Sequence, residues 1–314
     1  MNVLITSAAA KVLLVQAFQV AAAARGGLVF TADVAAQCAA GFFSHEHIQV
    51  CRTDAPGAFD GLVALCERRK IQLIVPTRDA ELVFYATWKT AFAEHGITVL
   101  APDQERLATC LDKRRFSAAI ERVGLSPIPT LSAAEASASF PVFVRPIVGA
   151  GGRGAMRINT AQEFSLLQEL DHYLVHPFVA APEYSIDLLM DLDGTPLQAV
   201  ARVRNEVSAG ESKKSTIVSH PELEAQTMQL GAALGLVGHN TVQAFDDPVR
   251  GILFIEVNPR FGGASNCSIA AGLSSPARLL GLLSGDSSAR APRPIRHGLV
   301  MYRYSQDVFD EPSS

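Results

Sequence analysis

Short apolar runs alternate with longer amphipathic stretches over the first hundred residues. Runs at 3–5, 28–30, 48–50, 71–76 and 97–100 predict strands, the second ending near Asp33. The stretches 11–24, 58–70 and 81–95 carry helical periodicity. This alternation predicts an α/β N-terminal domain, a parallel Rossmann-like sheet with helices on both faces. Its first strand-to-helix turn, residues 6–10, has no glycine, so it lacks the fingerprint that lets a pyrophosphate approach. The pattern then changes. Helices are expected at 107–123, 161–170 and 222–234, and strands at 140–146, 155–158, 184–190 and 199–204. This is an α+β pattern. The expected division is 1–105 and 106–314, the latter split into a lid of about 106–177 and a catalytic part of about 178–306. The residues from Asp307 onward are polar and expected to fray.

The run Ile252-Leu253-Phe254-Ile255-Glu256-Val257-Asn258-Pro259-Arg260 carries the sharpest chemistry. Alternate residues of a strand share a face, so Glu256 and Asn258 project together with Arg260 just beyond. A carboxylate beside an amide oxygen is a hard donor set of the kind Mg²⁺ takes, and an adjacent Arg suits a transferring phosphoryl group. The alternative is a structural Glu256–Arg260 ion pair. Residues 240–245 predict a second strand, with 246–251 as an Asp/Pro/Gly turn between the two. The resulting hairpin brings Gln243 near Glu256 as a third oxygen ligand.

Composition narrows the class. The chain has 314 residues, 48% hydrophobic and 18% charged, with net charge −4, so it has no basic footprint for nucleic acid. Its five cysteines are an odd number without C-x-x-C spacing, which reads as reduced thiols. The apolar stretch near the N-terminus is interrupted by Gln16 and Gln19 and falls short of the ~20 apolar residues that a spanning helix needs. A cytoplasmic protein without membrane contact is expected.

The strand ending at Arg145 runs into Gly149-Ala150-Gly151-Gly152-Arg153-Gly154, and residues 155–158 read as a returning strand. The glycines therefore form a flap between strands, whose N–H groups can close over phosphates. Arg145 has apolar neighbours and needs an acceptor, which a nucleotide phosphate supplies. Lys113 is a second phosphate candidate, or else a solvated helix charge. Residues 176–187 offer extended backbone for an adenine edge, and Glu183 offers an acceptor for ribose hydroxyls. His176 reads as a packed loop residue. Arg202 and Arg204 share a strand face and are a candidate clamp for a substrate carboxylate, a solvent-facing edge being the alternative. Residues 208–214 read as a mobile loop, a lid or simply solvated.

In order, Asp112-Lys113, Phe143-Val144-Arg145-Pro146 with its glycine flap, Glu183 to Asp187, Gln243, and Glu256-Val257-Asn258-Pro259-Arg260 resemble the ATP-grasp superfamily. The likeness is to the carbamoyl-phosphate-synthase-like branch with one ATP-grasp unit. The resemblance implies ATP and Mg²⁺ (Mn²⁺ as alternate). Lys113 and Arg145 would hold phosphates, and Gly151, Gly152 and Gly154 would form the flap. Phe178 and Val179 would face adenine, and Glu183 would bind ribose. Gln243, Glu256 and Asn258 would ligate the metal, and Arg260 would stabilise the phosphoryl group. The implied activity is an ADP-forming carboxylate–amine ligase acting through an acyl phosphate on a small, amino-acid-like molecule. The alternatives are a carboxyphosphate or carbamate kinase, and a nucleotide-binding module without turnover. Expected partners are a small carboxylate and an amine, with room for a homodimer.

Overall fold

The computed structural model describes residues 1–149, 152, 154–167 and 170–310. These residues form three sheets. The first contains β1 (Asn2–Thr6), β2 (Val29–Asp33), β3 (Glu46–Gln49), β4 (Ile71–Pro76) and β5 (Thr98–Val99), all parallel, in the order β3-β2-β1-β4-β5. Chain direction across the sheet reverses between β1 and β4, and the carboxyl ends of those two strands flank a crevice. The expected helix at 81–95 is instead two, Asp79–Thr87 and Lys89–Glu94. Trp88 breaks it: the residue leaves helical geometry and its ring stacks on Phe59 at 4.5 Å.

The expected helix at 107–123 is also two, Gln104–Leu111 and Lys113–Glu121. Asp112 sits between them in extended geometry, and its carboxylate accepts from the N–H groups of Arg114 and Arg115. A side chain that satisfies the free N–H groups of a new helix ends the old one. Lys113 is thereby the first residue of a helix, not a mid-helix charge.

The second sheet is small and antiparallel: β6 (Val142–Pro146), β7 (Met156–Ile158) and β8 (Tyr173–Pro177), in the order β7-β6-β8. The returning strand after the glycines is present. His176 lies within β8, not in a loop.

The third sheet is antiparallel, with β9 (Glu183–Met190), β10 (Pro196–Ser208), β11 (Glu211–Ile217), β12 (His239–Asp247), β13 (Gly251–Asn258) and β14 (Val300–Tyr302) in the order β13-β12-β9-β10-β11-β14. The segment expected to be a mobile loop at 208–214 is instead a hairpin. Ala209 and Gly210 both have positive φ, 50° and 76°, the backbone that a tight two-residue turn between twisted strands requires. The predicted hairpin of β12 and β13 is present, with Gln243 opposite Glu256 and an Asp247 turn that caps Val249 and Arg250.

The parallel sheet and the third sheet share one apolar core. Val3, Ile5 and Val75 pack in the same cluster as Leu189, Val200 and Ile217. Phe18, on the helix Val12–Ala23, meets the Phe261 ring edge-on at 5.6 Å. This packing fixes the carboxyl ends of β1 and β4 against the third sheet. No described helix is long and apolar enough to cross a membrane.

Candidate active site

Register decides which side chains meet. Glu256 pairs with Gln243, Gln243 with Ser185, and Ser185 with Arg202. Directly paired residues of antiparallel strands share a face, so these four form one row across β13, β12, β9 and β10. Asn258, Thr241 and Asp187 form the next row, and Phe245 and Glu183 lie in the row on the other side. This face floors a cleft of about 1080 Å³ that is bordered by residues of all three sheets. Lys113, Arg145, Gly152, Phe178, Val179, Glu183, Arg202, Arg204, Gln243, Glu256, Asn258 and Arg260 all border it. Gly154 does not line it, though its φ of +73° and its approach to Pro146 leave little room for a side chain. Gly151 and Arg153 lie outside the described residues.

At the phosphate end, Arg145 is nearly fully buried. Its Nε donates to His176 Nε2 at 2.9 Å and its Nη1 to the Ile255 carbonyl at 3.0 Å. Burial pulls its pKa down to about 10, partly offset by Glu256, so it stays charged at neutral pH. His176 Nδ1 donates to the Pro129 carbonyl, which leaves Nε2 free to accept from Arg145. Burial, then the Arg145 charge, holds the His176 pKa down at about 4. Neutral His176 thus orients Arg145, a role that its position before a proline did not reveal. Lys113 Nζ donates to the Gly149 carbonyl at 3.2 Å and lies 4.0 Å from Glu256 Oε2. Burial lowers its pKa, with Glu256 opposing.

The metal candidates are in mutual contact. Asn258 Nδ2 donates to Glu256 Oε1 at 3.2 Å. The Gln243 amide lies 3.2 Å from Glu256 Oε1 and 3.2 Å from Arg204 Nη1. Hydrogen bonding sets its NH₂ toward Glu256 and its oxygen toward Arg204. Rotating the two amides would aim two neutral oxygens and one carboxylate at one point. Among the described residues no three His, Cys, Asp or Glu side chains gather. A single carboxylate with amide oxygens suits Mg²⁺ or Mn²⁺, which take their remaining ligands from phosphate and water, and does not suit zinc.

Arg260 does not pair with Glu256. Its Nε and Nη2 grip both oxygens of Asp79, at 2.6 and 2.5 Å, and Nη2 also donates to Asn258 Oδ1 at 3.1 Å. Asp79 follows β4, so this bidentate pair joins the parallel sheet to the Glu256 end of the cleft. The signal for Asp79 was its place after a parallel strand beside the reversal of strand order, where open α/β sheets bind ligands.

Arg202 and Arg204 do not form one clamp. Arg204 is spent on Glu183, on Ser212 Oγ at 3.2 Å and on the Gly210 carbonyl at 2.8 Å, which ties the hairpin turn to the ribose candidate. Arg202 Nε donates to Asp187 Oδ2 at 3.1 Å. Asp187 is fully buried and also accepts from Thr241, Ser265, Ser268 and His239. Burial alone would raise its pKa. Arg202, His239 and the hydroxyls overcome that and hold it well below the usual carboxylate range. Arg202 Nη1 is buried and has no hydrogen-bond partner.

Two family models match the chain: "PylC-like, N-terminal domain" over residues 3–100, and "ATP-grasp in the biosynthetic pathway with Ter operon" over residues 169–306. Residues 169–306 thus match an ATP-grasp region, preceded by a PylC-like N-terminal one. Solved structures agree on the fold. Rhizobium etli pyruvate carboxylase with acetyl coenzyme A matches 95% of this chain at 18% identity and TM-score 0.76, and this chain spans 30% of that protein's length. The biotin carboxylase domain of Hydrogenobacter thermophilus 2-oxoglutarate carboxylase, in complex with MgADP and bicarbonate, matches 88% of this chain and 69% of its own at 16% identity and TM-score 0.68. An L-amino acid ligase from Bacillus licheniformis matches 93% of this chain and 77% of its own, also at 16% identity and TM-score 0.68.

Proposed function

We propose that this ATP-grasp protein is an ADP-forming ligase that joins a small carboxylic acid to an amine through an acyl phosphate. The observation that carries the reading is the row Glu256–Gln243 with Asn258, set beside Lys113, Arg145 and Arg260 on one cleft. The bound MgADP of the carboxylase-domain relative supports the choice of nucleotide and metal.

In this reading Phe178 and Val179 border adenine and Glu183 the ribose. Lys113 and Arg145 hold phosphates, under a flap to which Gly151, Gly152 and Gly154 contribute. Gln243, Glu256 and Asn258 would hold Mg²⁺, which when bound neutralises phosphate charge and draws electrons from the γ-phosphorus. A substrate carboxylate oxygen attacks that phosphorus, the bond to the β-phosphate oxygen breaks, and ADP leaves. The amine then attacks the acyl carbon, the C–N bond forms, phosphate departs with the C–O bond pair, and the nitrogen gives up a proton. Arg260 offers a fork of donors to the transferring group while Asp79 fixes its orientation. The chain supplies position and charge, and no nucleophilic side chain is required. All five cysteines are free, in keeping with a reducing, cytoplasmic setting.

The test is ADP and phosphate release from Mg-ATP across a panel of acids and amines. Release that requires both supports the ligase. Release with bicarbonate and no amine favours carboxyphosphate formation, a second reading that Arg145 and the bicarbonate-bound relative support. Nucleotide binding without release for any pair would sink both.

A further inference from the structure

Asp187 is fully buried and does not border the cleft, yet five side chains donate to it. Its ion pair with Arg202 is weak evidence for stability, since a well-packed apolar pair of similar volume often serves as well. The geometry around it shows another use. Thr241 Oγ1 donates to Asp187 Oδ1 at 2.9 Å, and Ser265 Oγ donates to the same oxygen at 2.7 Å. An ionised carboxylate only accepts, and a hydroxyl has one proton and two lone pairs. Both protons are therefore committed to Asp187, and both hydroxyl oxygens are left as acceptors. They meet at one donor: the Gly262 N–H lies 2.8 Å from Ser265 Oγ and 3.1 Å from Thr241 Oγ1.

Gly262 stands two residues after Arg260. Only glycine permits this approach, because a Cβ there would lie 2.7 Å from Thr241 Oγ1. The residue between them is held from the same carboxylate. His239 Nε2 donates to Asp187 Oδ1 at 3.3 Å and to Ser265 Oγ at 3.0 Å, and its Nδ1 meets Ser275 Oγ at 2.8 Å. So fixed, the His239 ring lies flat on Phe261, with centroids 4.1 Å apart and planes 6° apart. The Phe261 carbonyl in turn accepts from Arg260 Nη1 at 3.2 Å. Asp187 thus reaches the loop after β13 by two routes, a hydroxyl pair onto Gly262 and a ring onto Phe261. From the parallel sheet, Asp79 holds Nε and Nη2 of the same guanidinium.

We propose that Asp187 is a positioning residue for Arg260. With Thr241, Ser265 and His239 it fixes the loop from which the guanidinium is aimed, and it reaches neither nucleotide nor substrate itself. The anchor is a property of the fold. Its consequence for turnover rests on the ligase reading, through the phosphoryl contact assigned there to Arg260.

The test is hydrogen exchange in the full chain without ligand, read by heteronuclear NMR, because exchange reports local opening. Asp187→Asn would strip Arg202 of its counter-charge, so the acceptors are removed instead. Ser265→Ala combined with Thr241→Val takes away both hydroxyls and keeps the carboxylate. It is expected to speed exchange of the Gly262 N–H about a hundredfold and of the Arg260 Nε–H about tenfold, while the amides of β1 and β4 stay within about threefold. Thr241→Ser, which keeps the hydroxyl, is expected to retain the protection of Gly262. With an acid and amine that support ADP release, the double variant is expected to lower kcat about tenfold with the nucleotide Kd within about twofold, and to lower it no further once Arg260 is replaced by Lys. Unmoved exchange at Gly262 or at Arg260 Nε–H overturns the proposal, and so does an equal loss of kcat in the Arg260→Lys background. If no pair of substrates releases ADP, the ligase reading falls, and the Arg260 Nε–H exchange alone decides the anchor.

Discussion

The two ends of the cleft are built in opposite ways. Around Glu256 the named polar groups already have neighbours: Asn258 and Gln243 lean on Glu256, Arg260 on Asp79, and Arg145 on His176. Along the same row, Arg202 is buried on Asp187 and keeps one donor without a partner. Where groups satisfy one another, an arriving ligand must displace internal bonds. Where a buried donor stands unmatched, the fold carries a cost of its own. The difference teaches that a site's chemistry shows in its donor set, and not in how deeply its charges are buried.

The largest effect that sharpens this contrast is at the metal end. Glu256→Ala is expected to lower kcat about a thousandfold, roughly 4 kcal/mol of barrier, with the far-UV spectrum unchanged. A fully active variant would remove the metal end from the account. Next is the support beneath Arg145. His176 has a folded pKa of about 4 against 6.5 unfolded, so it stays neutral in the fold while the unfolded chain takes up a proton. Stability is therefore fully present above about pH 6.5 and falls as pH drops from there toward 4, by up to about 3 kcal/mol. Urea denaturation at pH 7 and pH 4.5 is expected to register this fall, and His176→Gln, which can still accept from Arg145, to flatten it.

Arg260→Lys keeps the charge but not the fork, and kcat is expected to drop about a hundredfold, near 2.7 kcal/mol. Asp79→Asn should cost less, because it loosens the fork without removing it. Steady-state rates that ranked the two the other way round would make the link between sheets more important than the phosphoryl contact. Smallest is Gly154→Ala. Its φ of +73° and a Cβ 3.1 Å from Pro146 Cγ predict about 1 kcal/mol of local strain, read as a few-fold rise in the KM for ATP.

The meeting of Glu256, Asn258 and Gln243 was legible because the residues are close in sequence. A period of two aligns Glu256 with Asn258, and one tight turn returns Gln243 beside them. The parallel sheet was legible from the same alternation of short apolar runs. Asp79 and His176 were not, because their partners lie in remote parts of the chain: Arg260 is 181 residues from Asp79, and Arg145 is 31 from His176. Spacing correctly set Arg202 and Arg204 on one face. It does not report that Asp187 and Glu183 stand opposite them, which is what separates their roles. The breaks at Trp88 and Asp112 were hidden for a related reason. A ring stack and a side-chain cap outweigh helical periodicity by small local energies that pattern alone does not register.

Glu256 is linked to Glu183 through one guanidinium by the contacts that close on it. Its oxygen is shared by two amide NH₂ groups, and Arg204 holds the far side of one of those amides while also holding Glu183. On the proposed assignment, a divalent ion at Glu256 would have to turn the Gln243 amide away from Arg204, and a ribose at Glu183 would compete for the same guanidinium. Metal and ribose would then be coupled through a single side chain, which predicts that nucleotide and ion bind more tightly together than apart.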